Sequence, residues 1–366
     1  MSELRILITG GGTGGHLFPA LAIGEEIKNR NSNAIIHFVG SKFGLESKVY
    51  PIKDVLHTLI PIRGIQRTIS LNNLKKNILL PYYIFISILK IRSLIKKFSP
   101  QIIIGTGGYA SAIPIFVGSR KKNSPMIILQ EQNSYPGLTN RIFSDKANFT
   151  FTAFSEASKY LKSNIILTGN PIRKGIELGN CTRALKFFNF QRDQKIIFIF
   201  GGSQGSSFLN KIMNRVISKF SKTSIQIIWQ TGEREYSKYK NKITDTINVT
   251  PFVHNMADAY SIADLIISRS GALTLAEITV CKKPAILVPL PSSAANHQLK
   301  NAKVLEKKGA AIIIQENEMR INYFFKTILE LLKNEIALKS MKKASESLGK
   351  PYSTAKIVDH IMKVLK

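Results

Sequence analysis

Two segments of this 366-residue chain set a glycine-rich turn directly after an apolar run. The first reads Gly10, Gly11, Gly12, Thr13, Gly14, Gly15, His16, and the second Gly201, Gly202, Ser203, Gln204, Gly205. Glycines let backbone N–H groups converge on an anion, and a helix starting there adds the positive end of its dipole. Phosphate is the ligand such turns suit. The first turn satisfies GxGxxG through Gly10, Gly12 and Gly15, the pattern of a dinucleotide site. That site also needs an acid at the end of the second strand to hold a ribose. Here the strand runs out through Val39, Gly40, Ser41 and Lys42, so a nicotinamide cofactor is set aside. His16, just past the glycines, can take a proton near neutral pH or bind substrate. A histidine there can also simply cap the loop.

Further polar groups follow other apolar runs. Gly107, Gly108 and Tyr109 come after IIIG (102–105), and Glu131, Gln132 and Asn133 after MIILQ (126–130). Together they suit a polar pocket, although each alone is an ordinary turn or cap. In the second half, Ser203 offers a hydroxyl to a phosphate oxygen. Ser270 and Gly271 precede ALTLAE (272–277), whose Glu277 either accepts from a ribose diol or faces solvent. Asn296, His297 and Gln298 follow PAILVPL and its loop, in reach of sugar hydroxyls. Phosphate, ribose and sugar contacts in chain order are the signature of a nucleotide-sugar site. No Asp-x-Asp pair is present to hold a metal on a diphosphate, so neither a metal nor another cofactor is expected.

The elements that must carry these groups are legible as alternating strands and helices. LRILITG (4–10), AIIHFVG (34–40), IIIG and MIILQ are continuous apolar strands, and the pattern restarts with KIIFIFGG (195–202), IQIIWQTG (225–232), DLIISR (264–269) and PAILVPL (284–290). Apolar strands separated by helices predict parallel sheets covered on both faces. The expected organisation is a Rossmann-like α/β domain over residues 1–170 and a second over 171–345. The break falls at TGNPIRKG (168–175), and a C-terminal helix over 346–366 returns to the first domain. Two such domains face a cleft with the carboxyl ends of their strands, where ligands of open α/β sheets bind.

The chain carries 52 basic and 23 acidic residues, a net charge of +29. Its richness in Lys, Ile and Asn raises that total without reference to any site; the distribution says more. No acid lies between Asp54 and Glu131, whereas Arg63, Arg67, Lys75, Lys76, Lys90, Arg92, Lys96, Lys97, Arg120, Lys121 and Lys122 do. Within that stretch ILLPYYIFISILK (78–90) is too short to span a bilayer, which takes about 20 apolar residues, and Pro81 interrupts it. It suits shallow docking on anionic lipid, or a buried helix with a basic outer face. A nucleic-acid site would need aromatic or Arg-rich recognition elements rather than polar glycine turns, and none is expected. Two cysteines, Cys181 and Cys281, give no disulfide framework, and the first residues read as a strand rather than a signal peptide.

In this order the motifs resemble the MurG family, the UDP-N-acetylglucosamine:undecaprenyl-diphospho-muramoyl-pentapeptide transferases of bacterial cell-wall synthesis. The matching segments are GGTGGHLFPALA (11–22), GTGGYAS (105–111), EQNSYPGLTN (131–140), TGNPIR (168–173), GGSQGS (201–206), SRSGALTLAEI (268–278) and NHQLKNA (296–302). The resemblance implies a GT-B fold, an inverting transfer of N-acetylglucosamine from UDP-N-acetylglucosamine to the undecaprenyl-linked muramoyl-pentapeptide, and peripheral attachment to the cytoplasmic face of the plasma membrane through the first domain. It implies Ser203 on phosphate, Arg173 near the diphosphate, the backbone of Val253 on uracil, and Gln298 on the sugar. Ala272, Leu273, Thr274, Leu275, Ala276 and Glu277 would wrap the nucleotide. Thr13, Gly14, Gly15 and Asn133 would close over the donor sugar, with His16, Tyr109 and Glu131 facing the acceptor. His16 is the first candidate for the base and Glu131 the second. Position 206 is Ser where the family has Ala, and Pro291–Ala295 lacks a charge many relatives carry. A GT-B transferase with another lipid acceptor, such as diacylglycerol, is the alternative.

Overall fold

The computed structural model describes residues 3–64, 70, 74, 77–121 and 124–365. Arg67, Lys75, Lys76 and Lys122 of the basic stretch lie outside them. The chain divides into two compact units, Met1–Ile172 with Tyr352–Lys366, and Arg173–Pro351. Each is built on one parallel sheet. In the first unit β1 (Arg5–Thr9), β2 (Ile35–Ser41), β3 (His57–Ile60), β4 (Ile102–Gly105), β5 (Met126–Glu131), β6 (Phe149–Thr152) and β7 (Asn164–Leu167) lie in the order β3-β2-β1-β4-β5-β6-β7. In the second, β8 (Lys195–Phe200), β9 (Ile225–Gln230), β10 (Ile247–Thr250), β11 (Leu265–Ser268), β12 (Ala285–Leu287) and β13 (Ala311–Ile313) lie in the order β10-β9-β8-β11-β12-β13.

The apolar runs become central strands because both their faces are buried. Side chains alternate across a sheet, so Ile6 and Ile8 of β1 join one core, with Leu17, Ile23 and Phe38. Leu7 between them joins the other, with Ile91, Ile103 and Leu129. In the second unit Ile197, Ile199 and Ile227 pack with Val216 and Phe324, while Phe198 and Phe200 stack on the opposite side beside Tyr260.

The C-terminal helix Ser353–Val364 belongs to the first unit, where Ile357, Val358 and Ile361 are fully buried in the core around Leu17. Pro81 divides the apolar run, since Ile78 and Leu79 lie before the helix of the basic stretch. That helix runs Leu80–Phe98 with the proline in its first turn, the place where a missing N–H costs nothing.

In each sheet the strand order reverses once, at β1/β4 and at β8/β11. The glycine turns leave the carboxyl ends of β1 and β8, and so both sit at a switch point. The chain's single tryptophan, Trp229 on β9, is fully buried and donates Nε1–H to Asn210 Oδ1 at 3.0 Å. Asn210 in turn donates to Thr231 O at 2.9 Å. Replacing Asn210 by Ala leaves the indole N–H unpaired, which costs about 1–3 kcal/mol. Asn210→Ala should therefore lower the denaturation midpoint of the second unit, followed by Trp229 fluorescence.

Candidate functional site

In the first unit the glycine turn after β1 faces the turn after β4. His16 lies in the first turn of the helix Gly14–Arg30, with Thr13 as the residue before it. Its Nδ1 is 3.0 Å from Thr106 O and 3.0 Å from Gln132 Oε1. Gln132 is buried, and its Nε2 donates to Thr106 O at 2.6 Å and to Gln130 Oε1, which turns its oxygen toward His16. Both neighbours of Nδ1 are thus acceptors, so in the neutral ring Nδ1 carries the proton and Nε2 the lone pair. The approach is close because Gly108 sits at φ +79°, where a Cβ would lie 2.2 Å from Gly11 O.

Tyr109 begins the helix Tyr109–Gly118. Its ring lies over Gly12, where a Cβ would be 2.6 Å from Cε1. Burial raises its phenol above the ordinary range, so it remains a hydrogen-bond donor at neutral pH. Glu131 ends β5 with only 1% of its surface exposed. Its carboxylate accepts from Asn133 N (2.9 Å), Asn133 Nδ2 (3.1 Å), Gly137 N (3.0 Å) and Asn140 Nδ2 (2.7 Å). A base needs a lone pair directed at substrate. These four donors engage both oxygens, so Glu131 holds the 133–140 turn instead and orients Asn133.

In the second unit the turn after β8 leads into the helix Ser207–Phe220. Gly202 stands at φ +88° with nothing within 4 Å of a Cβ, and Ser203 and Gln204 are exposed. Ser206 caps the helix and accepts from Arg269 Nε at 3.0 Å. The serine at this position therefore adds a bond that alanine would lack. Arg269 is itself nearly buried, donates to Val288 O at 3.1 Å and pairs with Glu316 at 2.5 Å. A cavity of 430 Å³ opens between this turn and Arg269, Gly271, Thr274, Leu290 and Gln298. Gln298 Oε1 accepts from Leu290 N at 3.0 Å.

Gln230, at the end of β9, ties the turn to the segment after β10. Its Nε2 donates to Gly202 O at 3.0 Å and its Oε1 accepts from Val253 N at 2.9 Å. The N–H of Val253 is thus already committed, and its carbonyl is the group left for a base. The helix Ala272–Val280 presents its first N–H groups at the cavity, with Leu273, Thr274 and Ala276 partly exposed. Leu275 is 1% exposed. Its side chain belongs to the core and its N–H donates to Gly271 O at 3.0 Å, so it builds the helix turn rather than meeting a ligand. Glu277 lies buried a turn further on, 3.4 Å from Arg173 Nε and 3.3 Å from the Tyr260 hydroxyl. Burial raises its carboxyl pKa, against the opposing pull of Arg173 and the Tyr260 bond.

The N-terminal domain model of glycosyltransferase family 28 matches residues 6–152, and the C-terminal domain model matches 196–360. The UDP-N-acetylglucosamine--N-acetylmuramyl-(pentapeptide) pyrophosphoryl-undecaprenol N-acetylglucosamine transferase of Desulforamulus reducens is 36% identical, with 99% of each chain covered. That of Thermodesulfovibrio yellowstonii is 38% identical over 97% of each. The chain belongs to the MurG family of glycosyltransferases. The crystal structure of Acinetobacter baumannii MurG shares its fold at TM-score 0.77 and 26% identity, with 98% of this chain and 99% of that one covered. A putative UDP-N-acetylglucosamine 2-epimerase from Listeria monocytogenes, at TM-score 0.70 and 12% identity, shares the fold alone. The two parallel-sheet units are those of the GT-B fold.

Within the first unit the expected residues Thr13, Gly14, Gly15, His16, Tyr109, Glu131 and Asn133 gather around the β1/β4 switch point. Within the second, Thr274 and Gln298 line the cavity, Ser203 is exposed on the turn beside it, and Arg173 meets Glu277. Gln130, Gln230 and Arg269 were not singled out from the sequence, and Gln132 only as one member of a polar pocket. Glutamines at strand ends carry no spacing signal, and Arg269 showed only as part of a longer motif. Among the described residues no group of three or more His, Cys, Asp and Glu side chains stands together as a metal site. Cys281 does not read as a nucleophile, since burial pushes its thiol up to about 12.

The raised pKa of Glu277 has a sign. A carboxyl that binds its proton more tightly when folded contributes stability fully present below its unfolded pKa and lost as pH rises through the folded value. At neutral pH the ionised group therefore weighs against the fold. Glu277→Gln should raise the melting temperature of the second unit at pH 7.5, and the gain should shrink toward pH 4, read from Trp229 fluorescence.

Proposed function

We propose that this protein transfers N-acetylglucosamine from UDP-N-acetylglucosamine to undecaprenyl-diphospho-N-acetylmuramoyl-pentapeptide, with inversion at the anomeric carbon, in peptidoglycan synthesis. It is an N-acetylglucosaminyltransferase, and full-length kinship to transferases of that name favours the muramoyl lipid over diacylglycerol. The observation that carries the reading is the cavity of the second unit, where an open glycine turn, a helix N-terminus and the Gln298 amide border one space. That combination fits a diphosphate joined to a sugar.

In this reading the uridine lies against Val253, whose carbonyl accepts from the base. Gly202, Ser203 and the Ser207–Phe220 helix terminus meet the diphosphate, and Arg173 adds positive charge. The ribose reaches the Glu277 carboxylate, which Arg173 and Tyr260 already orient. Gln298 spends its oxygen on Leu290, so its amide nitrogen is the group offered to the sugar. Ala272 to Ala276 form the helix turn that borders the nucleotide, with the Thr274 hydroxyl on its side, while the Leu275 N–H is spent on Gly271 O. Thr13, Gly14, Gly15 and Asn133 act on the donor sugar, and Tyr109 on the acceptor.

The acceptor hydroxyl attacks the anomeric carbon from the face opposite UDP. Its proton passes to His16 Nε2, the C–O bond to the β-phosphate breaks, and UDP leaves with the bonding pair. N–H dipoles and Arg173 stabilise the charge that develops on the diphosphate. Glu131, saturated by its own turn, positions Asn133 and takes no proton. His16→Ala should lower kcat by about 10²–10⁴-fold with UDP affinity unchanged. The assay is transfer of labelled N-acetylglucosamine from UDP-N-acetylglucosamine to the lipid-linked muramoyl-pentapeptide. Product formed in the presence of chelator supports a reaction without an essential metal; no product on this acceptor, with UDP-sugar still bound, gives the function to another glycolipid.

Among the described residues no helix is long and apolar enough to cross a membrane. The helix Leu80–Phe98 instead favours attachment to an anionic membrane surface from the cytoplasmic side. Ile91 and Ile95 anchor it in the core, while Tyr82, Phe85 and Leu89 stand 60%, 59% and 45% exposed at helical spacing. Arg92, Lys96 and Lys97 are exposed further along it. Apolar rings flanked by cations suit the headgroup region of anionic lipid. Phe85→Asp should abolish sedimentation with vesicles containing phosphatidylglycerol while leaving turnover of a detergent-solubilised acceptor within about twofold, since exposed substitutions seldom disturb a fold.

A further inference from the structure

Glu46 takes no part in the chemistry above, yet it is fully buried against the first glycine turn. Gly12 N donates to its Oε1 at 3.1 Å and its Oε2 at 3.0 Å, and Ser41 N donates to Oε1 at 2.8 Å. The carboxylate is tightly walled. A Cβ on Gly11 would lie 2.1 Å from Oε1, and one on Gly44 2.4 Å from Oε2. A glycine turn at a strand end normally aims its N–H groups at an external anion. Here an internal carboxylate receives them.

The turn in the second unit has the same local design and the opposite state. Nothing lies within 4 Å of a Cβ on Gly202, and Ser203 and Gln204 are exposed. One turn holds its own anion, and the other is open.

We propose that Glu46 is the built-in anion of the first glycine turn: its carboxylate closes that turn to phosphate and positions the turn for transfer. The route to the reaction is short. Gly12 lies beneath the Tyr109 ring, and the Tyr109 hydroxyl lies beside the Ser41 side chain, so Glu46 braces both surfaces against which that ring rests. Gly12 also leads through Thr13 into the helix turn that carries His16. Glu46 is thus a positioning residue, and its effect on rate rests on the transferase reading above.

The test uses Glu46→Ala, which empties the socket, and Glu46→Gln, which keeps its volume but sets an amide NH2 among the N–H donors. Each variant is first checked for wild-type secondary structure by circular dichroism. Both should lose about 100-fold in kcat, the cost of a misplacement of about 1 Å, with affinity for UDP, which the second unit holds in the reading above, unchanged. Formate should restore kcat in Glu46→Ala alone. Calorimetry should find one more site for formate, or for inorganic phosphate, in that variant than in the wild type, the open second turn being common to both. Full kcat in either folded variant overturns the inference. So does a slow Glu46→Ala that gains no site over the wild type and does not respond to formate or phosphate. A wild type that transfers nothing to the muramoyl lipid refutes the functional reading instead, and the calorimetric comparison then decides the anion seat by itself.

Discussion

A parallel sheet whose strand order reverses sends its two neighbouring connections to opposite faces, leaving a crevice at the carboxyl ends of the strands. The candidate chemistry of this protein depends on that constraint twice. At β1/β4 it brings His16, Thr106 and Tyr109 together, although Thr106 and His16 are 90 residues apart. At β8/β11 it brings the GGSQGS turn to Arg269 and Gly271. The buried isoleucines of β1, β4, β8 and β11 are what hold these edges in register, so the core and the sites are one structural problem.

Charge inside such a crevice has to be matched group by group, because an unpaired buried charge is costly. Three glutamates show two degrees of matching. Glu46 and Glu131 are enclosed by N–H donors, and the loops around them are shaped by that demand. Glu277 has one guanidinium and one phenol, and its carboxyl pKa stays raised. A carboxylate with unspent accepting capacity is suited to a ligand, and one that is saturated is suited to architecture. The same distinction separates the two glycine turns, alike as strings of letters and opposite in what fills them.

Much of this organisation was legible in the chain. Continuous apolar runs marked the central strands, because strands buried on both faces carry no polar alternation. β3, β6, β7, β10 and β13 were not marked. They are three or four residues long, and several mix polar with apolar residues, as FTFT (149–152) and INVT (247–250) do. Periodicity is not measurable over so few positions, and their strand identity comes from a neighbour that pairs with them. Pro81 divides its apolar run as expected, and it does so by opening a helix at Leu80, where a proline is tolerated.

By itself the sequence determined the two-sheet α/β plan, the places where glycine turns follow strands, and the family, because each depends on residue type and short spacing. Tertiary structure alone decided which nitrogen of His16 bears the proton, since that rests on Thr106 and Gln132 from distant strands. It also decided that Glu131 is spent on its own turn and that Glu46 fills the first glycine turn. A side chain's chemistry is written in its type, but its availability is set by which donors and acceptors the fold brings within about 3 Å, and that cannot be read along a chain.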